Sequence, residues 1–595
     1  MKALCYGLPF GASLAVLDGF RSARGHEVRT VALQGQADYK LKKRETAADL
    51  ICRVAQEWTP DCLLCWCPEV VPPPLEIEEC PVKTAAIVSD WNIYFPQLEY
   101  NLSRYDVVIT DRLGSKTLQL AGVIAHYVCP IYAHQPRVHR LMGLERDIDV
   151  VFAGNLNHAI HVRRGRLLEK IAALSPRRRV VIASGLPPEE YATLLNRGRI
   201  VFNHALRGEM NLRCFEALAC GSLLFLGADN LEARDWLRDR EDAVFYEDDS
   251  LVPLIEEYLD HPEEASRIAA NGQLRLQAEL SVEKRLDMLI DFIAAQPMGT
   301  RSFRQLPESE KAFHEILQYA SAQTGSQRKH AHSVIRKAAR RFSKHPGIMM
   351  SRAQLALYDF QQRDYTDSQS ANAAGLKVVI IFAKAAGFDN ESVPFWLNMA
   401  LIHYLAGLRD TAISILDIAM RSQSMEWVSV LMGRMNDPYY ARIREDLAFG
   451  RLGIELLWAM GATFRARIAC DEEDYKHVRA YARRAIKLAP DIPTPYFLLA
   501  TAHMRLGKPG AALEVLEKSA ALSSFDAEHR ALHIDALRAL DRRDEARALA
   551  EDSLCIFQAL QGSDQVVAQF KGILAMLQCS GGAGVFSDQR SEDKD

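Results

Sequence analysis

The hydrophobic pattern of this chain changes its period near residue 300, and this change limits the folds that it can adopt. Up to about residue 295, short apolar runs alternate with helical segments, beginning with residues 2–6 (KALCY), 13–24 and 25–31 (GHEVRTV). A strand, a helix and a second strand in this order form a unit of a parallel sheet. From about residue 309 to residue 559 the pattern is helical only. The sequence therefore predicts an α/β region followed by an all-α region.

The strand-like runs of the first half form two sets, separated by the segment 130–136 (PIYAHQP). The first set comprises residues 2–6, 25–31, 61–66, 84–88, 106–110 and 125–128. The second set comprises residues 149–153, 179–183, 199–203, 222–226 and 243–246. Two successive sheets of domain size predict two Rossmann-like lobes with a cleft between them. We expect these lobes over residues 1–135 and 136–295.

The helical half repeats one spacing of apolar and small residues. The two clearest copies are Trp396, Met399, Ala400, His403, Gly407 and Ala412, and Tyr496, Leu499, Ala500, His503, Gly507 and Ala512. This is the tetratricopeptide spacing of about 34 residues, in which small residues let two helices pack closely. One helix pair cannot bury its own apolar face, so we expect a solenoid of repeats over residues 310–560. Residues 296–309 have the composition of a linker, and residues 561–595 are expected to hold a helix end and a disordered tail.

Charge, hydropathy and cysteine content exclude several classes of protein. The formal net charge is −4, so no global field attracts nucleic acid or an anionic membrane. The longest apolar run, residues 378–383, is too short for a transmembrane segment, and the N-terminus has no signal-peptide pattern. The 12 cysteines lie mostly inside apolar segments, which is typical of reduced thiols in a cytoplasm. Cys62, Cys65 and Cys67 lie in a strand, where residues three apart face opposite ways, so we expect no zinc site there.

The most informative segment is residues 201–226, which reads as a strand, a loop, a helix that ends at Gly221 and a second strand. The loop follows the carboxyl end of a parallel strand, where α/β sheets bind their ligands. The helix start offers unpaired N–H groups to a diphosphate, and Arg213 adds a charge-assisted fork. Glu216 is placed to accept hydrogen bonds from two ribose hydroxyls. The alternative is that Arg213 and Glu216 form an exposed pair on an ordinary helix.

The run NLRCFEALACG at residues 211–221 resembles the donor-binding signature of group-1 glycosyltransferases, specifically the spore-maturation CgeB-like branch of bacteria. Residues 25–28 (GHEV), residues 149–155 (DVVFAGN) and the helix start at Arg163-Arg164 are also similar to that superfamily. The resemblance covers residues 1–295. It implies a GT-B fold and metal-independent, hexosyltransferase-like transfer of a sugar from a nucleotide-sugar donor, with no cofactor.

The resemblance also implies roles for individual residues. Asn211, Arg213 and Glu216 would bind the donor. Gly154, Asn155 and either Arg163 or Arg164 resemble the second-lobe glycine loop and the basic residue that contact the diphosphate; the alternative is a routine turn with exposed arginines. In the first lobe, Gly7 and Gly11 permit a tight loop that approaches the donor. The family marks its site with two glutamates separated by seven residues. Counted back from Glu216, the first position is Gly208, and Glu209 is one place off. Either the loop shifts by a residue so that Glu209 serves, or the branch functions without this glutamate.

The first lobe is expected to hold the acceptor and a catalytic base. Asp90 follows the strand 84–88, where its carboxylate could deprotonate an acceptor hydroxyl; the alternative is an Asx turn or helix cap. His158 and His161 lie near loops and are expected to be surface or hydrogen-bonded histidines. The basic stretch 328–341 is expected to be a solvated helix face, with an acidic partner peptide as the alternative.

Three functions are consistent with these features. The first is a glycosyltransferase whose repeats recruit an acceptor protein or a glycan-assembly partner. The second is a catalytically silent GT-B domain that serves as a scaffold beside a tetratricopeptide adaptor. The third is a nucleotide-sugar epimerase of the same two-lobed fold. No nucleic acid or membrane partner is expected.

Overall fold

The computed structural model of the protein describes most of the chain. The described residues are 1–7, 22–42, 44–98, 101–319, 325–361, 376–378, 380–381, 384, 391–426, 428, 431 and 436–579. Gly11 and most of the helix predicted over residues 13–24 lie outside them.

The first lobe is built on a parallel sheet with the strand order β3-β2-β1-β4-β5-β6-β7. The strands are β1 (Lys2–Gly7), β2 (Glu27–Ala32), β3 (Tyr39–Lys40), β4 (Cys62–Trp66), β5 (Lys83–Val88), β6 (Val107–Thr110) and β7 (Ala125–His126). Its helices are α1 (Ala47–Val54), α2 (Phe95–Leu98) and α3 (Arg112–Leu120). The sequence missed only β3 among these strands, because two residues are too few to show a period. Cys62 and Cys65 join the cores on opposite faces of the sheet, as predicted.

The second lobe contains a parallel sheet with the order β12-β11-β10-β8-β9. The strands are β8 (Ile148–Ala153), β9 (Val180–Ala183), β10 (Gly198–Phe202), β11 (Leu223–Gly227) and β12 (Val244–Tyr246). Its helices are α4 (Val162–Ala172), α5 (Pro188–Arg197), α6 (Leu212–Ala219), α7 (Leu231–Trp236), α8 (Leu251–Asp260) and α9 (Pro262–Glu279). The strands that the sequence predicted here are all present.

The chain returns to the first lobe after α9. Helix α10 (Val282–Ala295) lies within residues 136–295, yet its apolar residues Leu286 and Ile290 pack with Ala3 and Cys5 of the first sheet. The predicted linker that follows is also anchored there. Arg301 is buried and forms an ion pair of 2.6 Å with Asp106.

The remainder of the described chain is helical. The helices are α11 (Glu308–Tyr319), α12 (Gly325–Arg341), α13 (Pro346–Gln361), α14 (Val393–Leu405), α15 (Arg409–Ala419), α16 (Pro438–Ala448), α17 (Ile454–Asp471), α18 (Tyr475–Leu488), α19 (Thr494–Arg505), α20 (Pro509–Ser519), α21 (Ala527–Ala539), α22 (Arg543–Ala559) and α23 (Asp564–Cys579). In the two repeat copies, Ala400, Ala412, Ala500 and Ala512 are completely buried, as expected where helices pack closely. The predicted fold class, α/β followed by all-α repeats, is confirmed. No helix in the described part of the chain is long and apolar enough to cross a membrane.

The solenoid packs against both lobes. Ala448, at the end of α16, joins the core of the first lobe, and Arg444 donates a hydrogen bond of 2.6 Å to the carbonyl of Ile93. Ile556 of α22 joins the core of the second lobe. The N–H of Gln561 donates to the carbonyl of Ile182, on the outer strand β9, at 2.9 Å. The helical region is therefore packed against both lobes of the α/β region.

Candidate functional site

The connection between β10 and α6 forms the centre of the candidate site. Helix α6 begins at Leu212, and the side chain of its N-cap residue Asn211 makes no capping hydrogen bond. The helix ends as the sequence predicts, because Gly221 adopts the left-handed φ of +66°. The N-terminus of α6 thus lies at the carboxyl edge of the sheet, where a helix start favours an anion.

Arg213 connects this helix to the glycine loop after β8. Its side chain is buried, and it donates to the carbonyl of Ala153 and to the side chain of Asn203, each at 2.8 Å. The guanidinium lies 4.3 Å from the centre of the Phe152 ring. A Cβ atom at Gly154 would overlap one terminal nitrogen of Arg213, so a larger residue there would displace this guanidinium. Gly154 and Arg213 thus lie side by side, and their role in donor binding stays a prediction.

Arg164 approaches the same ring. It is buried at the start of α4, 5.4 Å from the centre of the Phe152 ring, and it donates to the carbonyl of Asn155 at 2.5 Å. Burial, with the nearby charge of Arg213, lowers the pKa of Arg164 to about 9. The Asn155 side chain is directed to its own loop, where it accepts from the N–H of Asn157. Asn155 therefore contributes its backbone to the site.

Two buried guanidiniums thus share one aromatic ring. Within the described ranges, no carboxylate lies within 4.0 Å of Arg164 or Arg213. Burying a charge is costly unless an opposite charge compensates it. The adjacent Arg163 has the opposite environment, since it forms ion pairs with Asp229 and Asp248. Unlike Arg163, Arg164 and Arg213 therefore carry buried positive charge that the described carboxylates do not neutralise.

Two histidines, His161 and His204, lie beside Arg164 and Arg213, and we refer to these four residues as the basic pocket. The Nδ1 of His161 and both ring nitrogens of His204 are buried, and they have no hydrogen-bond partner among the described residues. Burial lowers the pKa of His161 to about 2 and that of His204 to about 4, with the nearby arginines contributing. Both rings are therefore neutral donors or acceptors. We expected His161 to be a surface or hydrogen-bonded histidine; its Nδ1 is instead buried and without a partner.

Glu216 lies one turn into α6 and does not pair with Arg213. Its carboxylate accepts a hydrogen bond of 2.6 Å from the hydroxyl of Tyr191, on α5, and lies 3.7 Å from the Nε2 of His139. Burial raises the pKa of Glu216, while the Tyr191 hydroxyl and the charge of Arg213 oppose this rise. The exposed pair of an ordinary helix is excluded, because Arg213 is buried and has other partners. Tyr191 was not anticipated from the sequence.

Arg207 belongs to the second lobe, and its side chain contacts the first lobe. Its side chain is buried and donates to Asp111 at 3.0 Å, to Asn92 at 2.8 Å and to the carbonyl of Ser89 at 2.9 Å. Asp90, whose side chain is 43% exposed, lies 3.7 Å from the same guanidinium. This contact was not predicted, because it joins residues that are 96 to 118 positions apart in the chain.

Glu209 lies beside Arg207 in this contact between the lobes. Its buried carboxylate accepts from the N–H of Arg207 at 2.7 Å, and burial raises its pKa, while the charge of Arg207 opposes the rise. Gly208 has a φ of +71°, and a Cβ atom there would lie 2.9 Å from the carbonyl of Asp229. A glutamate at 208 would therefore be strained in this conformation.

The loop that contains Asp90 is fixed by the carboxylate of Glu69, a residue that was not predicted from the sequence. Glu69 is buried, and one of its oxygens accepts from the N–H and hydroxyl of Ser89 and from the N–H of Asp90, at 2.6 to 3.0 Å. These bonds fix the loop after β5. The backbone carbonyl of Asp90 accepts from the N–H of Ile93, as in a turn, while its carboxylate stays accessible.

Residues 146–291 match the family model described as glycosyl transferase-like. The match includes Arg164, Arg213 and Glu216, so a glycosyltransferase-like domain contains the basic pocket. No curated protein matches the chain. No group of three or more metal-ligating side chains occurs within the part of the chain that the structure describes.

Solved structures of low similarity cover each half of the chain. HepE from Anabaena in complex with UDP-glucose is 13% identical with a TM-score of 0.33, over 49% of this chain and 98% of its own. Sucrose-phosphate synthase from Thermosynechococcus elongatus is 11% identical with a TM-score of 0.32, over 50% and 99%. YrrB, a tetratricopeptide protein with an unusual peptide-binding site, is 13% identical with a TM-score of 0.26, over 40% and 97%.

Proposed function

We propose that this protein transfers a sugar, of the hexosyl class, from a nucleotide-diphosphate sugar to an acceptor hydroxyl. The observation that carries the proposal is the pair of buried guanidiniums, Arg164 and Arg213, without an acidic partner in the described chain. A diphosphate would supply the missing negative charge. Their position at the carboxyl edge of the second sheet, within the region that matches a glycosyl transferase-like family, supports this assignment.

In this proposal the leaving group is stabilised by the protein without a metal ion. When the bond between the sugar and the diphosphate breaks, negative charge develops on the diphosphate oxygens. Arg164, Arg213 and the N-terminus of α6 would stabilise that charge in a buried, weakly screened environment. The Glu216 carboxylate, oriented by Tyr191, would accept hydrogen bonds from the ribose. No cofactor enters this scheme.

The first lobe would bind the acceptor. The accessible carboxylate of Asp90 would take the proton of the acceptor hydroxyl or orient it. Glu69 would position Asp90 through the loop that both residues share. Glu209, next to Arg207, would keep the lobes in register rather than contact the sugar, because its carboxylate is buried in the contact between them.

We further propose that the helical repeats recruit a protein acceptor or a glycan-assembly partner, since solenoids present extended binding surfaces. We also propose that the chain is a cytoplasmic member of the bacterial CgeB-like branch. The free thiols of the described cysteines are consistent with a reducing compartment.

A turnover assay tests the enzymatic proposal. The full-length protein is incubated with a panel of nucleotide sugars, and release of the nucleoside diphosphate is measured with and without candidate acceptors. We expect one donor to be consumed, and we expect Arg213→Met and Glu216→Gln to lower that rate at least a hundredfold. Arg163→Met is the matched control and should retain the rate, because Arg163 is engaged by Asp229 and Asp248. No consumption of any donor would favour the scaffold, and turnover with no acceptor and no diphosphate release would favour an epimerase.

A further inference from the structure

A groove in the helical region lies far from the basic pocket in sequence. It is a cavity of about 460 Å³ between α12, α13 and the helical residues Lys377, Val378 and Ile381. Its lining combines charged side chains at the rim with apolar ones, among them Leu355, Phe360, Val378 and Ile381. This volume accommodates one or two large side chains, not a globular surface.

The rim of the groove is strongly basic. Arg336, Arg340, Arg352 and Lys377 line it and are exposed, against one acidic residue, Asp359. Arg336 lies 4.0 Å from Asp359. The other three cations have no carboxylate within 4.0 Å among the residues that the structure describes. Among the described residues, positive charge at the rim therefore exceeds negative charge, although the chain as a whole has a formal net charge of −4.

We propose that this groove binds an acidic peptide segment that carries a large apolar side chain. The carboxylates of the peptide would face Arg340, Arg352 and Lys377, and its apolar side chain would enter the cavity beside Phe360. Asp359 favours a peptide over a phosphate-rich ligand, because its carboxylate can accept backbone N–H groups and repels phosphate. The site does not depend on sugar transfer. If the proposed function holds, the peptide belongs to the acceptor or to an assembly partner.

Fluorescence anisotropy with the full-length protein tests this proposal directly. The probe is a labelled peptide of Asp and Glu residues around one central Phe. Three comparisons accompany it, namely the same peptide with Lys in place of the acidic residues, the same peptide with Ser in place of Phe, and vesicles that contain phosphatidylglycerol. We expect the acidic peptide to bind, the Lys peptide not to bind, and the Ser peptide to bind several-fold more weakly. Raising the salt concentration from 0.05 to 0.5 M should weaken binding several-fold.

Charge reversal locates the site. The double variant Arg336→Glu/Arg340→Glu should weaken binding of the acidic peptide at least tenfold. The matched control Arg483→Glu/Lys487→Glu makes the same charge change at the same helical spacing on α18, where both side chains are exposed, and should leave binding unchanged. If the first variant fails to fold by circular dichroism, Arg352→Gln/Lys377→Gln should still weaken binding several-fold. Equal losses in variant and control, binding of the Lys peptide, or binding of vesicles without binding of the peptide would overturn the proposal. None of these outcomes depends on donor turnover.

Discussion

Removal of Arg207 should weaken the contact between the two lobes. Arg207→Met retains the length of the side chain but leaves Asp111 buried without its cation at 3.0 Å. It also removes the donors to Asn92 and to the carbonyl of Ser89. Breaking a buried ion pair by removing one partner costs roughly 3–5 kcal/mol. Arg112→Met is the matched control, because Arg112 also joins the lobes, through Asp235 at 2.9 Å, but is exposed.

An exposed pair contributes only about 0.2–1 kcal/mol, so the two variants should differ clearly in stability. Chemical denaturation of the full-length proteins at pH 7 measures this difference as a shift of the unfolding midpoint. Small-angle X-ray scattering should also show a larger radius of gyration for Arg207→Met alone. Equal effects of the two substitutions would refute the assignment of Arg207 as the buried contact between the lobes.

The pH dependence of the loss of stability caused by Arg207→Met (the Arg207→Met defect) provides a second test. Burial raises the pKa of Glu209 in the folded protein, and Arg207 opposes this rise, so the substitution should raise this pKa further. A carboxyl group with a raised folded pKa contributes stability that is fully present below its unfolded pKa and is lost as the pH rises through the folded pKa. The defect should therefore shrink when the pH is lowered from 7 towards 5. A defect that grows on acidification would contradict this reasoning.

Three further predictions follow from the structure. Gly154→Ala should displace the Arg213 guanidinium and weaken nucleoside diphosphate binding, measured by calorimetry, at least tenfold. The control Gly510→Ala, where the added Cβ meets open space, should have no effect, and equal binding by both variants would contradict the close contact at Gly154. Burial raises the pKa of Glu232 to about 8, so its stabilising contribution is present below its ordinary pKa and is lost as the pH rises through 8. The free energy of unfolding of Glu232→Gln should therefore increase relative to that of the wild type as the pH rises from 6 to 9, by up to roughly 1.4 kcal/mol per pH unit. A relative increase at low pH instead would refute the raised pKa of Glu232. Deletion of residues 310–595 should lower the melting temperature sharply or abolish solubility, because it exposes the apolar faces that the solenoid buries on both lobes. A truncated protein that is as stable as the full-length protein would contradict those contacts.

The elements of the fold were predictable wherever local periodicity decides them. Strands such as β8 and β10 are buried on both faces and read as short apolar runs, and Gly221 marks the end of α6. The small residues of the repeats, such as Ala400 and Ala500, also showed their role through spacing alone. Helix α10 shows the limit of this reasoning. Its amphipathic pattern predicts a helix but does not say which of two apolar sheets it covers, and it covers the first.

The residues of the candidate site likewise include some that were predicted from local sequence patterns and some that were not. Arg164, Arg213 and Glu216 were candidates from the sequence because they lie near the starts of α4 and α6, which local patterns predict. Arg207 and His204 were missed, because only the packing of distant segments buries them. A polar residue in a loop has no periodic pattern that reveals its burial. The clearest signal for an anion site, two buried cations without carboxylates, exists only in three dimensions.

Calorimetric titration with nucleoside diphosphates tests whether Arg164 and Arg213 form the diphosphate site of a sugar-nucleotide donor. We predict that one nucleoside diphosphate binds the full-length protein at least tenfold more tightly than the nucleoside alone. We also predict that Arg164→Met and Arg213→Met abolish this difference, while Arg163→Met preserves it. Equal binding of nucleoside and nucleoside diphosphate, or a loss with Arg163→Met as large as with Arg164→Met, would contradict the account.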